Sequence, residues 1–283
     1  MIVASAVIPR DPAGVDTEGI VRLAGGGFWL SEEYGPSLIR VGADGVVSER
    51  LVPRGAGIAT HAYRVREALP PVFFRRVQNR GFESLALSKD QRFLFTSIQS
   101  PLAHPLPATA KTSRVARVLK LDADSGTVLG EYAVILEEAS VFGAASQSDV
   151  KISGAIWVGE DRLLLDQRTD EAAKIYEMDL RKATNILGTA WDDLDHEALE
   201  AQSPLELSGK GVVAATSKLL LDLSALATSL PVKIEGIALA DDRTLVAGND
   251  NEFAFNGCDS AQNAVPVDRP SELLFIRFPH RLR

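Results

Sequence analysis

The chain has 283 residues, 46% of them hydrophobic, and 30 Lys and Arg against 38 Asp and Glu leave a net charge of −8. That length can bury a sizeable core, while the acidic balance excludes a nucleic-acid binder that works by releasing counterions from phosphates. No run of about 18 apolar residues is present to cross a membrane as a helix, and one cysteine, Cys258, allows neither an intrachain disulfide nor a cysteine metal site.

Met1 to Arg10 (MIVASAVIPR) lacks the basic start, long apolar stretch and cleavage site of a secretory signal. Such a start belongs to a cytoplasmic protein or follows a removed leader. The first internal pattern begins at Glu18-Gly19-Ile20-Val21 and returns as Glu83-Ser84-Leu85-Ala86, Ser153-Gly154-Ala155-Ile156 and Glu235-Gly236-Ile237-Ala238, at spacings of 65, 70 and 82 residues. Ten positions after each start lies an apolar run (Phe28-Trp29-Leu30, Phe93-Leu94-Phe95, Leu163-Leu164-Leu165, Leu245-Val246-Ala247), with Gly or Asp turns between. Short β-type runs joined by such turns predict antiparallel hairpins.

Further strands follow most hairpins: Ser37 to Val41 and Val46 to Val52, then Arg114 to Leu121 and Val128 to Leu136 around the Asp122 to Gly126 turn. Ala59 to Pro71 and Asp192 to Pro204 are expected insertions, the second a short helix. The last repeat offers three strands, ending with Leu273 to Phe278, and Ile2 to Ile8 is expected to supply the missing outer strand. A repeating four-stranded unit predicts an all-β fold, a β-propeller of antiparallel blades in one domain over residues 1–283. Four repeats are visible, and the length allows four to six blades.

In a propeller the first strand of each blade lines the central channel, so Glu18, Glu83 and Glu235 converge on the axis. One glutamate can simply bond backbone amides. Three at matched positions repel one another unless a proton or a cation joins them, and calcium, a hard ion that takes several oxygens, suits them. Fifteen positions after each repeat start come Glu33, Ile98, Arg168 and Asp250, and the oxygen-rich run Asn249-Asp250-Asn251-Glu252 adds Asn249 as a candidate ligand. The expected metal ligands are thus Glu18, Glu83, Glu235 and Asn249.

Other chemistries find no support. There is no G-x-S-x-G elbow, no Walker or dinucleotide loop, and His61, His104, His196 and His280 lack zinc spacing; most are expected at the surface. The run Phe74-Arg75-Arg76-Val77-Gln78-Asn79-Arg80 is basic on an acidic protein. It reads either as a solvated loop or as an Arg fork for phosphate.

Several ordered pieces carry a family resemblance: Asp16-Thr17-Glu18-Gly19-Ile20, Ser31-Glu32-Glu33-Tyr34-Gly35-Pro36, Asn79-Arg80-Gly81-Phe82-Glu83-Ser84-Leu85, Gln99-Ser100-Pro101-Leu102 and Glu235-Gly236-Ile237-Ala238 to Asn249-Asp250-Asn251-Glu252-Phe253. Over nearly the whole chain the sequence resembles the phytase-like family called "esterase-like activity of phytase". The resemblance implies a bacterial, periplasmic or extracellular propeller with Glu18, Glu33, Glu83, Glu235 and Asp250 as its acidic set. Ser153 and Gln167 depart from that set.

The function expected on this basis is calcium-dependent hydrolysis of phosphate mono- or diesters, with Glu33 or Asp250 as general base and Arg168 neutralising phosphoryl charge. The alternatives are a calcium-dependent lactonase or carboxylic esterase, and a non-catalytic binding propeller with structural calcium. The expected partner is a small-molecule ester, met by a monomer.

Overall fold

A computed structural model describes residues 13–59, 62–226, 230–261 and 263–283. It is all-β, in a four-bladed β-propeller arrangement. Blade 1 contains β1 (Thr17–Arg22), β2 (Phe28–Glu32), β3 (Ser37–Val41), β4 (Val47–Pro53) and β5 (Arg64–Leu69). Blade 2 contains β6 (Phe82–Leu87), β7 (Phe93–Ile98), β8 (Val115–Asp122) and β9 (Val128–Ile135). Blade 3 runs β10 (Lys151–Gly159), β11 (Arg162–Arg168), β12 (Ala173–Asp179) and β13 (Thr216–Asp222). Blade 4 pairs β14 (Ile234–Asp241), β15 (Thr244–Asn249) and, after a small hairpin of β16 (Phe255–Cys258) and β17 (Ala264–Pro266), β18 (Leu273–Arg277).

Strand order within each blade follows the chain, as Gly and Asp turns between alternating apolar runs require. Four blades match the four repeats, and the extra length lies in loops. Within the expected insertion Ala59 to Pro71, β5 adds to β4 as a parallel fifth strand. The segment Asp192 to Pro204 is not one helix. It forms two 3-10 turns, Ala190–Asp192 and Leu199–Ala201, and the α-helix follows at Pro204–Gly209. Pro204 explains the boundary, since Pro suits the first helical turn and Ser203 caps it with Glu206 in a capping box. The expected strand Ile2 to Ile8 lies outside the described residues.

Inner strands pack side by side, β1 on β6, β6 on β10 and β10 on β14. Glycine sets their spacing. A Cβ on Gly19 would stand 2.8 Å from the Leu85 Cβ of blade 2, and one on Gly154 would stand 2.4 Å from Ile237 of blade 4. Gly236 faces open space, and Ile20, its counterpart on β1, is 63% exposed. The contact that joins neighbouring blades is thus not repeated between blades 4 and 1 among the described residues.

One apolar core runs through blades 1 to 3 around Trp29, Phe73, Phe82 and Phe95, and a second joins blades 3 and 4 around Ile175, Ile234 and Leu245. Polar ties cross the blade gaps: Trp29 Nε1 donates to the Ala123 carbonyl (2.9 Å) and Lys120 Nζ to Asp161 (2.7 Å). The crossover between β12 and β13 covers the edge strand of blade 2, with Ile186 and Ala215 amides donating to the Glu131 and Ala133 carbonyls. Beneath it the fully buried Arg117 binds Glu200 and Glu131, so the crossover is locked by a charge network that costs heavily if broken.

Candidate active site at the channel mouth

Every blade breaks its ladder at the same place. The register between first and second strand shifts at Thr17/Ile20, Phe82/Ser84, Ile152/Ala155 and Ile234/Gly236. Such a β-bulge re-aims side chains, and the residues in or beside the four breaks are Glu18, Glu83, Ser153 and Glu235.

Blades 1 and 2 supply an acidic cluster. Carboxylate oxygens of Asp16, Glu18 and Glu33 lie within 4.8 Å of one another. Asp16 and Glu18 are exposed and Glu33 is buried; even so, the chain packed around Glu18, then the charges of Glu83, Asp16, Glu235 and Asp250, push it up to about 8. Burial, then Glu18 and Asp16, does the same to Glu33. Glu83 is buried, also pushed up to about 8 by burial and then by Glu33, and its Oε2 has no hydrogen-bond partner. The side chains of Gln99 and Glu33 bond the Glu83 carboxyl group, and a buried carboxylate held against a second carboxylate cannot keep its charge uncompensated. It must hold a proton or meet a cation.

Local chemistry fixes these groups. Glu32, fully buried against Arg50 at 3.1 Å, accepts from the Asp16 amide (3.2 Å) and the Gly35 amide (2.9 Å), so it holds both segments that bear the cluster. Asn79 has φ +55, a left-handed geometry that Asn tolerates, and its amide donates to Glu33 Oε1 at 2.8 Å. Gln99 Nε2 lies 3.4 Å from Glu33 Oε2. Gly81 is obligatory here, because a Cβ would stand 2.1 Å from the Glu33 carbonyl oxygen.

In blades 3 and 4 the carboxylates are paired with cations. Ser153 occupies the glutamate position of blade 3, and Arg168 fills that space, donating to Ser153 Oγ and Asp170 (2.9 Å each) and pairing with Glu235. Arg168 is 1% exposed, so it acts on the mouth through its field. Burial still pushes Glu235 above the ordinary range, against the pull of Arg168 and Lys233. Lys233 binds Asp250 (3.0 Å) and Glu252 (2.6 Å); although burial opposes it, the Glu252 amide and Lys233 hold Asp250 low. The Asn249 amide is engaged elsewhere, with Pro270 O and Glu272 N.

The structure therefore brings Glu18, Glu33 and Glu83 together with Asp16, sets Glu235 and Arg168 against each other, and keeps Asn249 and Asp250 within loop-holding bonds. Asp16 had one sequence signal. Two residues before each repeat start stand Asp16, Gly81, Lys151 and Lys233, a ring that is acidic in blade 1 and basic in blades 3 and 4. Asp166, below Arg168 on β11, was not foreseen: it is wholly buried, neither oxygen has a partner, and burial pushes it up to about 8. Among the described histidines His196 and His280 are exposed, and His104 is buried.

The oxygen-only donors of Asp16, Glu18 and Glu33 and the orphaned Oε2 of Glu83 fit a hard divalent cation. A propeller with an acidic channel mouth is the class that fold and site define. The chain belongs to the phytase-like family described as "Esterase-like activity of phytase", whose model matches residues 6–253. A protein of Arthroderma benhamiae described as an uncharacterized secreted protein is 32% identical over 139 residues, covering 43% of this chain and 27% of that protein. Among solved structures, a protein of unknown function from Bacteroides caccae matches 89% of this chain and 60% of its own (TM-score 0.40, 8% identity). A periplasmic gluconolactonase from Pseudomonas aeruginosa matches 92% and 73% (TM-score 0.35, 14% identity). The chain thus spans about a quarter of that secreted relative and 60% of the Bacteroides structure.

Proposed function

We propose that the protein is an exported, calcium-dependent hydrolase of phosphate esters, working at the channel mouth of blades 1 and 2. The observation that carries this reading is the cluster of Asp16, Glu18 and Glu33 beside the unpartnered, buried Oε2 of Glu83. In this reading Asp16, Glu18 and Glu33 hold the ion, with Glu83 next to it. A bound divalent cation supplies charge for a phosphoryl oxygen and acidifies water. With an ion held beside it, Glu83 would stay ionised and would accept the proton of the attacking water. Arg168 keeps Glu235 neutralised, so the free carboxylates stay on one side of the axis. Asn79 and Gln99 hold Glu33 in orientation. Family membership and the secreted relative support the esterase-like and exported parts.

The test is hydrolysis of bis(p-nitrophenyl) phosphate, p-nitrophenyl acetate and a γ-lactone by the purified chain, with EDTA and with calcium restored. Phosphodiester turnover that EDTA abolishes and Glu83→Gln lowers by about 10²-fold or more is the expected result. Turnover on the lactone alone would select a carboxylic esterase. Phosphodiester turnover unaffected by EDTA, or by both Glu18→Gln and Glu83→Gln, would overturn the assignment.

A further inference from the structure

The basic run ending at Arg80 forms one wall of a cleft of about 370 Å³ beside the acidic mouth. Its polar wall presents Arg76, Arg80 and Lys111, its apolar wall Val77, Ala103 and Ala110, and among the described residues no carboxylate lines it. On a chain of net charge −8 such a concentration of cations has to be explained. Arg76 donates to the Tyr34 carbonyl and lies 5.9 Å over the Tyr34 ring; Arg80 donates to the Ser148 carbonyl at 2.7 Å. Neither of these bonds is to a carboxylate, and each leaves guanidinium N–H groups for another acceptor. Arg80 is also half-buried within range of a second guanidinium, Arg168, and burial and that like charge lower its pKa against the opposing charges of Asp149, Asp170 and Glu33.

Both ends of the run are tied to the candidate active site. Asn79 binds the Glu33 carboxylate, and Arg76 binds the backbone of Tyr34, the next residue. On its other face Arg80 borders a second cleft, where Asp149, Asp170 and Glu171 offset Lys151. The cation excess therefore belongs to the first.

We propose that this cleft is an anion subsite, which takes a phosphoryl or carboxylate group carried on an apolar stem. The anion binds the guanidinium N–H groups of Arg76 and Arg80 as charge-assisted hydrogen bonds, Lys111 adds charge at the rim, and the stem lies on Val77, Ala103 and Ala110. Combined with the hydrolase reading above, on which this step rests, it makes the natural substrate an ester with a second anionic group set apart from the scissile one.

The test is calorimetric titration of the full chain with phenylphosphonate, phenylacetate and inorganic phosphate, at low ionic strength with EDTA present. Saturable one-site binding of phenylphosphonate or phenylacetate is expected, and whichever binds tighter names the head group. Lys111→Glu, at an exposed position, and Arg80→Met should each weaken it by about tenfold, which is ~1.4 kcal/mol, with unchanged melting temperature as the folding control. Glu18→Gln should leave it unchanged, which separates this site from the hydrolase reading. Binding that is absent, indifferent to Lys111→Glu, or lost in Glu18→Gln would overturn the subsite. Inorganic phosphate binding as tightly as phenylphosphonate would overturn the apolar stem.

Discussion

Glu83 stands where burial and like charge push in the same direction. Together with Glu18 and Glu33 it is raised from an ordinary 4.5 to about 8, so between those values the folded chain holds protons that the unfolded chain has lost. Stability from these groups is full below about 4.5 and falls as pH rises through about 8. Asp166 adds to the same trend. With EDTA present, the melting temperature should therefore drop between pH 5 and pH 8.5. Glu83→Gln should raise it by about 2–4 °C at pH 8.5, a change of ~1 kcal/mol at this chain size, and hardly at all at pH 4.5. A drop of equal size in Glu83→Gln would mean that Glu83 is not among the groups that hold a proton. The glutamates were legible in the repeat, and Asp16 two positions before its start, but the partners Asn79 and Gln99 were not. Those two contacts join residues 46 and 66 positions apart, and no local pattern encodes them.

At the scale of the strand, the four bulges and the glycines beside them do separate jobs. The bulge turns a side chain to the axis, and the glycine lets the next blade close in. Gly19→Ala should cost about 1–3 kcal/mol, because its Cβ would meet Ser31 Oγ at 2.5 Å and the Leu85 backbone nitrogen at 2.9 Å. Gly236→Ala, with nothing within 4 Å, should be neutral or stabilise by up to about 1 kcal/mol through the unfolded chain. Urea unfolding of the two variants measures the difference, and equal effects would remove glycine from the account of blade spacing. The hairpins themselves were foreseen nearly to the residue, since Gly and Asp turns between alternating runs are local signals. The parallel addition of β5 and the divided segment 192–204 were not, because both depend on which edge the chain docks against.

For the whole molecule, the unequal pairing of charge is the organising feature. Carboxylates of blades 3 and 4 are paired with Lys151, Arg168 and Lys233, whereas Asp16, Glu18 and Glu33 of blade 1 cluster without an ion pair among the described residues, which favours a cation there. Calcium at about 100 times its dissociation constant should stabilise the fold by ~2.7 kcal/mol, or about 5–10 °C in melting temperature. Glu18→Gln should abolish most of that gain. A melting temperature indifferent to calcium and to EDTA would leave the cluster as protonated carboxyls.

From the sequence alone came the all-β class, the four-fold repeat, the strand ends and the positions at which glutamates reach the axis, because each rests on spacings of a few residues and on turn chemistry. Only the tertiary structure decided which of those glutamates share a site. The repeat treats Glu18, Glu83 and Glu235 as equals, whereas folding sets Arg168 against Glu235 and leaves Glu18, Glu33 and Glu83 beside Asp16. Like charges become a site only when the surrounding chain withholds their counter-charges, and that is a property of distances between blades.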